Sequence, residues 1–292
     1  MRNKNKESKV IIGVNGYIGS ELSKYLKQKN LKIIGLDKTR SASKNFFILN
    51  LQNKKKVDLF FTKNKFNTIY HFATHSAIAY RENFDKSFQE DYLSLSNLIS
   101  ALRKNRNNIK LVYLSSSYVY SGFTSKVGTE NSYLKPVHNF GLAKKFFEDY
   151  ILKFYPNSVI FRLSSVFGAG KALHPNAVYN LVKECKEKNL ISIWGRGKRK
   201  MQYVFMSDVI KYLSIVKKIN PGIYNLAGNE YLTLYTLGSK ICKIFKSKIV
   251  LKKNKKEAET LCYMNNQKLK NAAGDYFTPF ERSLNSYLKI LN

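Results

Sequence analysis

The segment NFGLAK, residues 139–144, places a lysine four residues after a phenylalanine. On a helix that spacing puts Lys144 and position 140 on one face. A tyrosine at 140 would make an acid/base pair with Lys144, because a neighbouring cation draws a phenol down from its ordinary pKa of ~10. Phe140 has no hydroxyl and can neither give nor take a proton. Tyr133 lies too far upstream to replace it, and His138, two residues before, faces another side of the helix. Tyr118, just after a strand-like run, and His75, placed on the substrate side of the same cleft, are the candidate replacement bases. Against that role stands the commoner fate of such residues, packing in a core.

A second constellation is GVNGYIG, with Gly13, Gly16 and Gly19 between an apolar run and a helical period. Glycines there allow a tight turn and close backbone approach, so that a pyrophosphate can sit on the helix N-terminus. The next apolar run ends in Asp37, where a carboxylate accepts from an adenine ribose and repels a 2′-phosphate. That favours NAD over NADP, with Lys38 and Arg40 as the residues that would accommodate NADP.

Alternating elements position these groups. KVIIGV (9–14), KIIGLD (32–37), TIYHFAT (68–74), IKLVYLSSS (109–117) and SVIFRLSS (158–165) have buried-strand length, and helical periods fill most gaps between them. In YIGSELSKYLKQ, Ile18, Leu22 and Leu26 recur on one helical face. The pattern predicts an α/β fold, a Rossmann-like doubly wound parallel sheet over residues 1–165. After residue 166 the pieces shorten, which predicts a smaller C-terminal substrate-binding lobe over 166–292 that returns to the first domain.

Lys and Arg number 51 against 19 Asp and Glu, so the formal charge is +32. Such a field attracts phosphates, nucleic acid or an anionic surface. The basic residues are scattered rather than gathered in a stripe, which favours solvated faces over a dedicated RNA surface. No apolar run reaches the ~18 residues of a membrane span, and the N-terminus lacks a signal-peptide pattern. Cys185, Cys242 and Cys262 are widely spaced, without a disulfide framework or zinc pattern. A cytoplasmic protein without a metal site is expected.

GVNGYIGSEL, HFAT, LSSSYVY, FGLAK and FRLSSVFGAG follow one another in the order and approximate spacing of the extended short-chain dehydrogenase/reductases, the NAD-dependent epimerase/dehydratase group. The chain resembles that family over nearly its whole length. The resemblance implies NAD(P), a nucleotide-sugar substrate, oxidation or reduction at a sugar carbon, and often a homodimer. It assigns Gly13, Gly16 and Gly19 to the phosphate loop, with Tyr17 and Ile18 as its aromatic-aliphatic pair. Asp37 becomes the ribose acid, Ala73 a backbone neighbour of the cofactor, Ser116 the active-site hydroxyl, and Lys144 the lysine that holds the nicotinamide ribose.

Phe140 departs from that pattern, standing where the family has its catalytic Tyr. Ser117 and Tyr118 stand where the family's dehydratases carry Asp-Glu, which disfavours 4,6-dehydration. Met201 replaces a diphosphate-binding Arg, with Arg196, Lys198, Arg199 and Lys200 as substitutes nearby, and Ser165 occupies the place of a diphosphate-binding Asn. Two readings follow. One is an NAD-dependent nucleotide-sugar epimerase or reductase; the other is a catalytically impaired member that binds cofactor or RNA.

Overall fold

The computed structural model describes residues 8–39, 45–104, 108–170 and 176–291. Seven strands form the central sheet: β1 (Lys9–Ile12), β2 (Ile33–Asp37), β3 (Phe46–Ile48), β4 (Thr68–His71), β5 (Lys110–Ser116), β6 (Ser158–Leu163) and β7 (Gly222–Leu226). Their spatial order is β7-β6-β5-β4-β1-β2-β3, and every pairing is parallel. The fold is thus a doubly wound, Rossmann-like α/β sheet. The order reverses between β1 and β4, and ligands of such sheets bind beyond the strand C-termini at that reversal.

Side chains alternate between the two faces of the sheet, as the two-residue period of a strand requires. Val10 and Ile12 enter one core with Leu111, Tyr113 and Ile160; Ile11 enters the other with Val112, Val159 and Phe161. Helices Lys54–Lys63, Phe84–Lys104 and Asn139–Phe154 cover the first face through Val57, Phe61, Leu95, Leu98, Phe147 and Ile151. Helices Tyr17–Gln28 and Met206–Ser214 cover the second through Leu22, Leu26, Val209 and Leu213. Both faces are buried, which explains the near-continuous apolar runs of the sequence.

A further core joins helices Ala177–Lys188, Leu234–Phe245 and Phe280–Leu291 with the short strands Leu190–Trp194 and Lys200–Phe205. The chain does not stay there. β7, beyond residue 166, adds the last strand of the central sheet in register with β6. Among the described residues no helix is long and apolar enough to cross a membrane.

Candidate active site

Two chambers lie beyond the C-terminal ends of the strands, and Phe72 and Thr74 line both. The first, of about 410 Å³, is lined by Gly13, Asn15, Gly16, Asp37, Lys38, Ala73, His75 and Asp91 among others. Gly13 has φ +83°, and a Cβ there would meet the Ala73 amide nitrogen at 2.8 Å. A Cβ on Gly19 would strike the Gly13 carbonyl oxygen. The turn therefore brings helix, loop and β4 together at distances that only glycine allows, and leaves the backbone open to a ligand. Asp37, at the end of β2, accepts from the Asn15 amide at 3.2 Å and from the Thr39 amide at 3.4 Å. These groups fit an adenosine and a pyrophosphate. Arg40 lies outside the described residues.

Not every loop residue faces that chamber. Tyr17 turns away and donates its hydroxyl to the Gly168 carbonyl at 3.3 Å, while Ile18 lines the second chamber. Gly19 acts in packing the helix on the loop. His75, expected on the substrate side, lines the first chamber instead. Asp91 fixes it there, accepting from the His75 amide and lying 2.8 Å from Nδ1, with Glu90 at 3.2 Å from Nε2. The hydrogen bond to Asp91, then the two negative charges, raise the imidazole above its ordinary pKa.

The second chamber, of about 540 Å³, gathers Ser116, Ser117, Tyr118, Phe140, Lys144, Ser164, Ser165, Arg199, Lys200 and Met201. None of the described residues lining it is Asp or Glu. Ser116 closes β5, and its Oγ accepts from the Tyr118 amide at 3.2 Å, starting the turn Ser117–Tyr120. Helix Asn139–Phe154 presses on that turn through Gly141, where a Cβ would strike the Tyr118 carbonyl oxygen. This contact brings Tyr118 edge-on to Phe140, with ring centroids 6.1 Å apart. His138 caps the same helix, accepting from the Phe140 amide through Nδ1 at 3.2 Å, and lies 4.4 Å from the Tyr118 ring.

Lys144 is 3% exposed. Its ammonium donates to Thr74 Oγ1 at 3.0 Å, to Tyr113 Oη at 3.1 Å and to the Leu114 carbonyl at 3.0 Å, which uses all three protons. Burial among these neutral partners lowers its pKa to about 8, with the charges of Asp91 and Glu148 acting against the fall. Phe140 lies beneath it, 5.4 Å from Nζ to ring centroid. Behind the chamber, Arg162 and Glu148 form a buried two-pronged pair at 2.9 and 2.7 Å, with Ser115 donating to Glu148 at 2.5 Å.

In the basic run the residues separate. Arg199 and Lys200 reach the chamber, whereas Arg196 is exposed and does not line it. The reason is the turn: Gly195 and Gly197, both at positive φ, carry the chain around so that position 196 points outward.

Thr74, Asp91 and Ser164 escape the sequence reading. Thr74 lay within HFAT, and a lysine's need for acceptors would have found it. Asp91 shares a helical face with Leu95, Leu98 and Leu102, all buried, and an acid on an apolar stripe is a signal in itself. Ser164 is 6% exposed and its Oγ has no partner among the described residues, though it borders the chamber. A buried hydroxyl in that state calls for a bound group to satisfy it.

The model of the NAD dependent epimerase/dehydratase family matches residues 10–227. Human dTDP-D-glucose 4,6-dehydratase is 26% identical over 262 residues, covering 81% of this chain and 73% of that protein. Among solved structures, the Thermotoga maritima UDP-glucose 4-epimerase with UDP-glucose aligns at TM-score 0.86 and 17% identity, over 97% of this chain and 98% of that one. The Thermus thermophilus UDP-glucose 4-epimerase in complex with NAD aligns at TM-score 0.80 and 19% identity, over 97% and 98%.

Proposed function

The chain belongs to the NAD dependent epimerase/dehydratase family, and on that premise we propose that its cleft holds NAD beside a nucleotide sugar and acts on the sugar by epimerisation or keto-group reduction, with turnover limited by Phe140. The observation that carries this reading is the meeting of the two chambers at Phe72 and Thr74. One chamber has the glycine turn and a ribose acid, the other a buried cation and hydroxyls.

Gly13, Gly16 and the start of helix Tyr17–Gln28 would hold the pyrophosphate, Asp37 the adenine ribose, and Lys144 the second ribose, in exchange for its bond to Thr74. When bound, NAD would accept a hydride from the sugar in the first half of an epimerisation, and its reduced form would give one back or supply one to a keto sugar. Ser116 and Ser164 orient sugar hydroxyls, and Arg199 and Lys200 face the diphosphate; charge-assisted bonds to phosphate need cations on that wall. With no carboxylate among the described residues that line the chamber, nothing there supplies the acidic pair of a dehydration, which favours epimerisation or reduction over the reaction named for the human relative.

Proton exchange at the sugar oxygen is the weak point. Phe140 cannot perform it. Tyr231 also lines the chamber, but its hydroxyl donates to the Leu261 carbonyl. Tyr118 is then the nearest phenol to Phe140 in the chamber, and the second candidate for the role.

A homodimer fits the same reading. Tyr92, Phe146 and Phe154, between 39% and 41% exposed, run with Tyr150 along helices Phe84–Lys104 and Asn139–Phe154 as a chain of touching rings. An aromatic face of that kind suits a second copy of the chain.

The test is a thermal-shift screen of UDP- and dTDP-linked sugars with NAD present. Stabilisation by at least one sugar, lost in the Arg199→Ala/Lys200→Ala double variant, supports the reading. Stabilisation by RNA alone, vanishing as salt rises, would replace it with the binding-protein alternative.

A further inference from the structure

The turn Gly195–Arg199 wraps around an acid from another part of the chain. Glu257 accepts from the Arg196 amide through Oε1 at 2.9 Å and from the Arg199 amide through Oε2 at 2.6 Å. The Lys198 and Gly197 amides also face it, and the four together, Arg199 foremost, hold its carboxyl below the ordinary value. Gly195 is the reason the acid fits: a Cβ there would meet Glu257 Oε1 at 2.6 Å. Converging backbone amides form an anion-binding concavity, and this one is filled from within the chain.

Two more contacts tie the same two segments together, and a third holds the second segment from the strand paired with Gln202. Arg199 Nε donates to the Glu259 carbonyl at 3.0 Å, the Lys200 amide donates to Thr260 Oγ1 at 3.1 Å, and Tyr231 holds the Leu261 carbonyl. Residues 199–202 and 261–262 are adjoining walls of the substrate chamber. Arg199 is therefore held at both its amide and its Nε, and the residue lines the chamber.

We infer that Glu257 is a positioning residue: its carboxylate locks the Gly195–Arg199 turn and so aims Arg199 at the diphosphate of a nucleotide sugar. This rests on the functional reading above. Glu257 does not itself line the chamber, so its effect on a ligand passes through Arg199. A lysine or arginine on an unrestrained loop loses more side-chain freedom on binding than one already fixed, and that difference is what Glu257 removes in advance.

The experiment is a double-variant cycle read by calorimetry, with UDP-glucose and dTDP-glucose as probes and NAD present throughout. Glu257→Gln keeps the size of the side chain but presents an NH₂ to amide donors. It is expected to weaken the sugar about tenfold, the scale of one charge-assisted hydrogen bond, and to leave NAD affinity unchanged. In the Arg199→Ala background the same substitution should have no further effect, and Glu257→Asp should fall between Gln and the parent. A purely structural role would lower melting temperature and weaken binding equally in both backgrounds, and that result overturns the inference. So does a Glu257→Gln chain that binds the sugars as the parent does. A parent that binds NAD but neither sugar overturns the functional reading, and with it this one.

Discussion

Phe140→Tyr adds one oxygen to a ring that already borders the substrate chamber. The ring is only partly buried, and its neighbours Tyr80 and Tyr118 lie 5.6 and 6.1 Å away between centroids. Lys144 Nζ is 5.4 Å from the ring centroid. At an effective dielectric constant of ~20, opposite charges about 5 Å apart attract by ~3 kcal/mol, so a hydroxyl held at that range from Lys144 is drawn down by about two pKa units. The new phenol would then titrate near ~8 before burial pushes it back, close to the value of about 8 that Lys144 itself has. A positioned acid/base contributes ~10²–10⁴ in rate. The variant should turn over a nucleotide sugar at least about 100-fold faster than the parent, measured as sugar conversion by NMR or as absorbance of reduced cofactor. Its rate should rise with pH toward about 8. If both proteins bind NAD and sugar alike and turn over at the same rate, the reasoning fails at its central step, and Tyr118→Phe becomes the variant that identifies the proton carrier.

Asp37→Ala should narrow a preference for NAD over NADP that the parent shows by about tenfold or more; calorimetry giving tighter NADP binding to the parent would shift the ribose contact to Lys38. Arg162→Met should cost ~3–5 kcal/mol in urea unfolding, because it leaves the fully buried Glu148 carboxylate without its counter-ion; a loss under ~1 kcal/mol would show that Ser115 and water suffice. His71, 1% exposed, is lowered from 6.5 to about 4 by burial. Between those values the unfolded chain binds a proton that the folded chain does not, so stability should fall as pH drops through that window, by ~3 kcal/mol in all. His71→Gln should flatten the profile, and an unchanged acid slope would refute the assignment.

Five of the seven central strands were legible because both faces of a parallel sheet are covered, which writes each strand as a continuous apolar run. β3 escaped because it has three residues at the sheet edge, with Phe47 and Ile48 exposed. β7 contains IYNL but follows short, irregular pieces, and its partner β6 lies some sixty residues earlier in the chain, a pairing that local periodicity does not encode. At the site, glycine spacing and Asp37 were readable because backbone geometry dictates them. The side of the cleft that His75 faces was not, since Asp91 sets it from helix Phe84–Lys104. Arg196 and Arg199 look equivalent in GRGKRK, and only the two left-handed glycines tell them apart.

The account's central claim is that one cleft holds cofactor and sugar together. Its most direct measurement is a calorimetric titration of UDP-glucose or dTDP-glucose into the chain saturated with NAD, followed by assay of the NAD still bound. The two chambers adjoin at Phe72 and Thr74 without overlapping elsewhere, so the account predicts one sugar bound per chain with NAD fully retained. Release of NAD as the sugar binds, or no binding of either sugar by a chain that holds NAD, would contradict it.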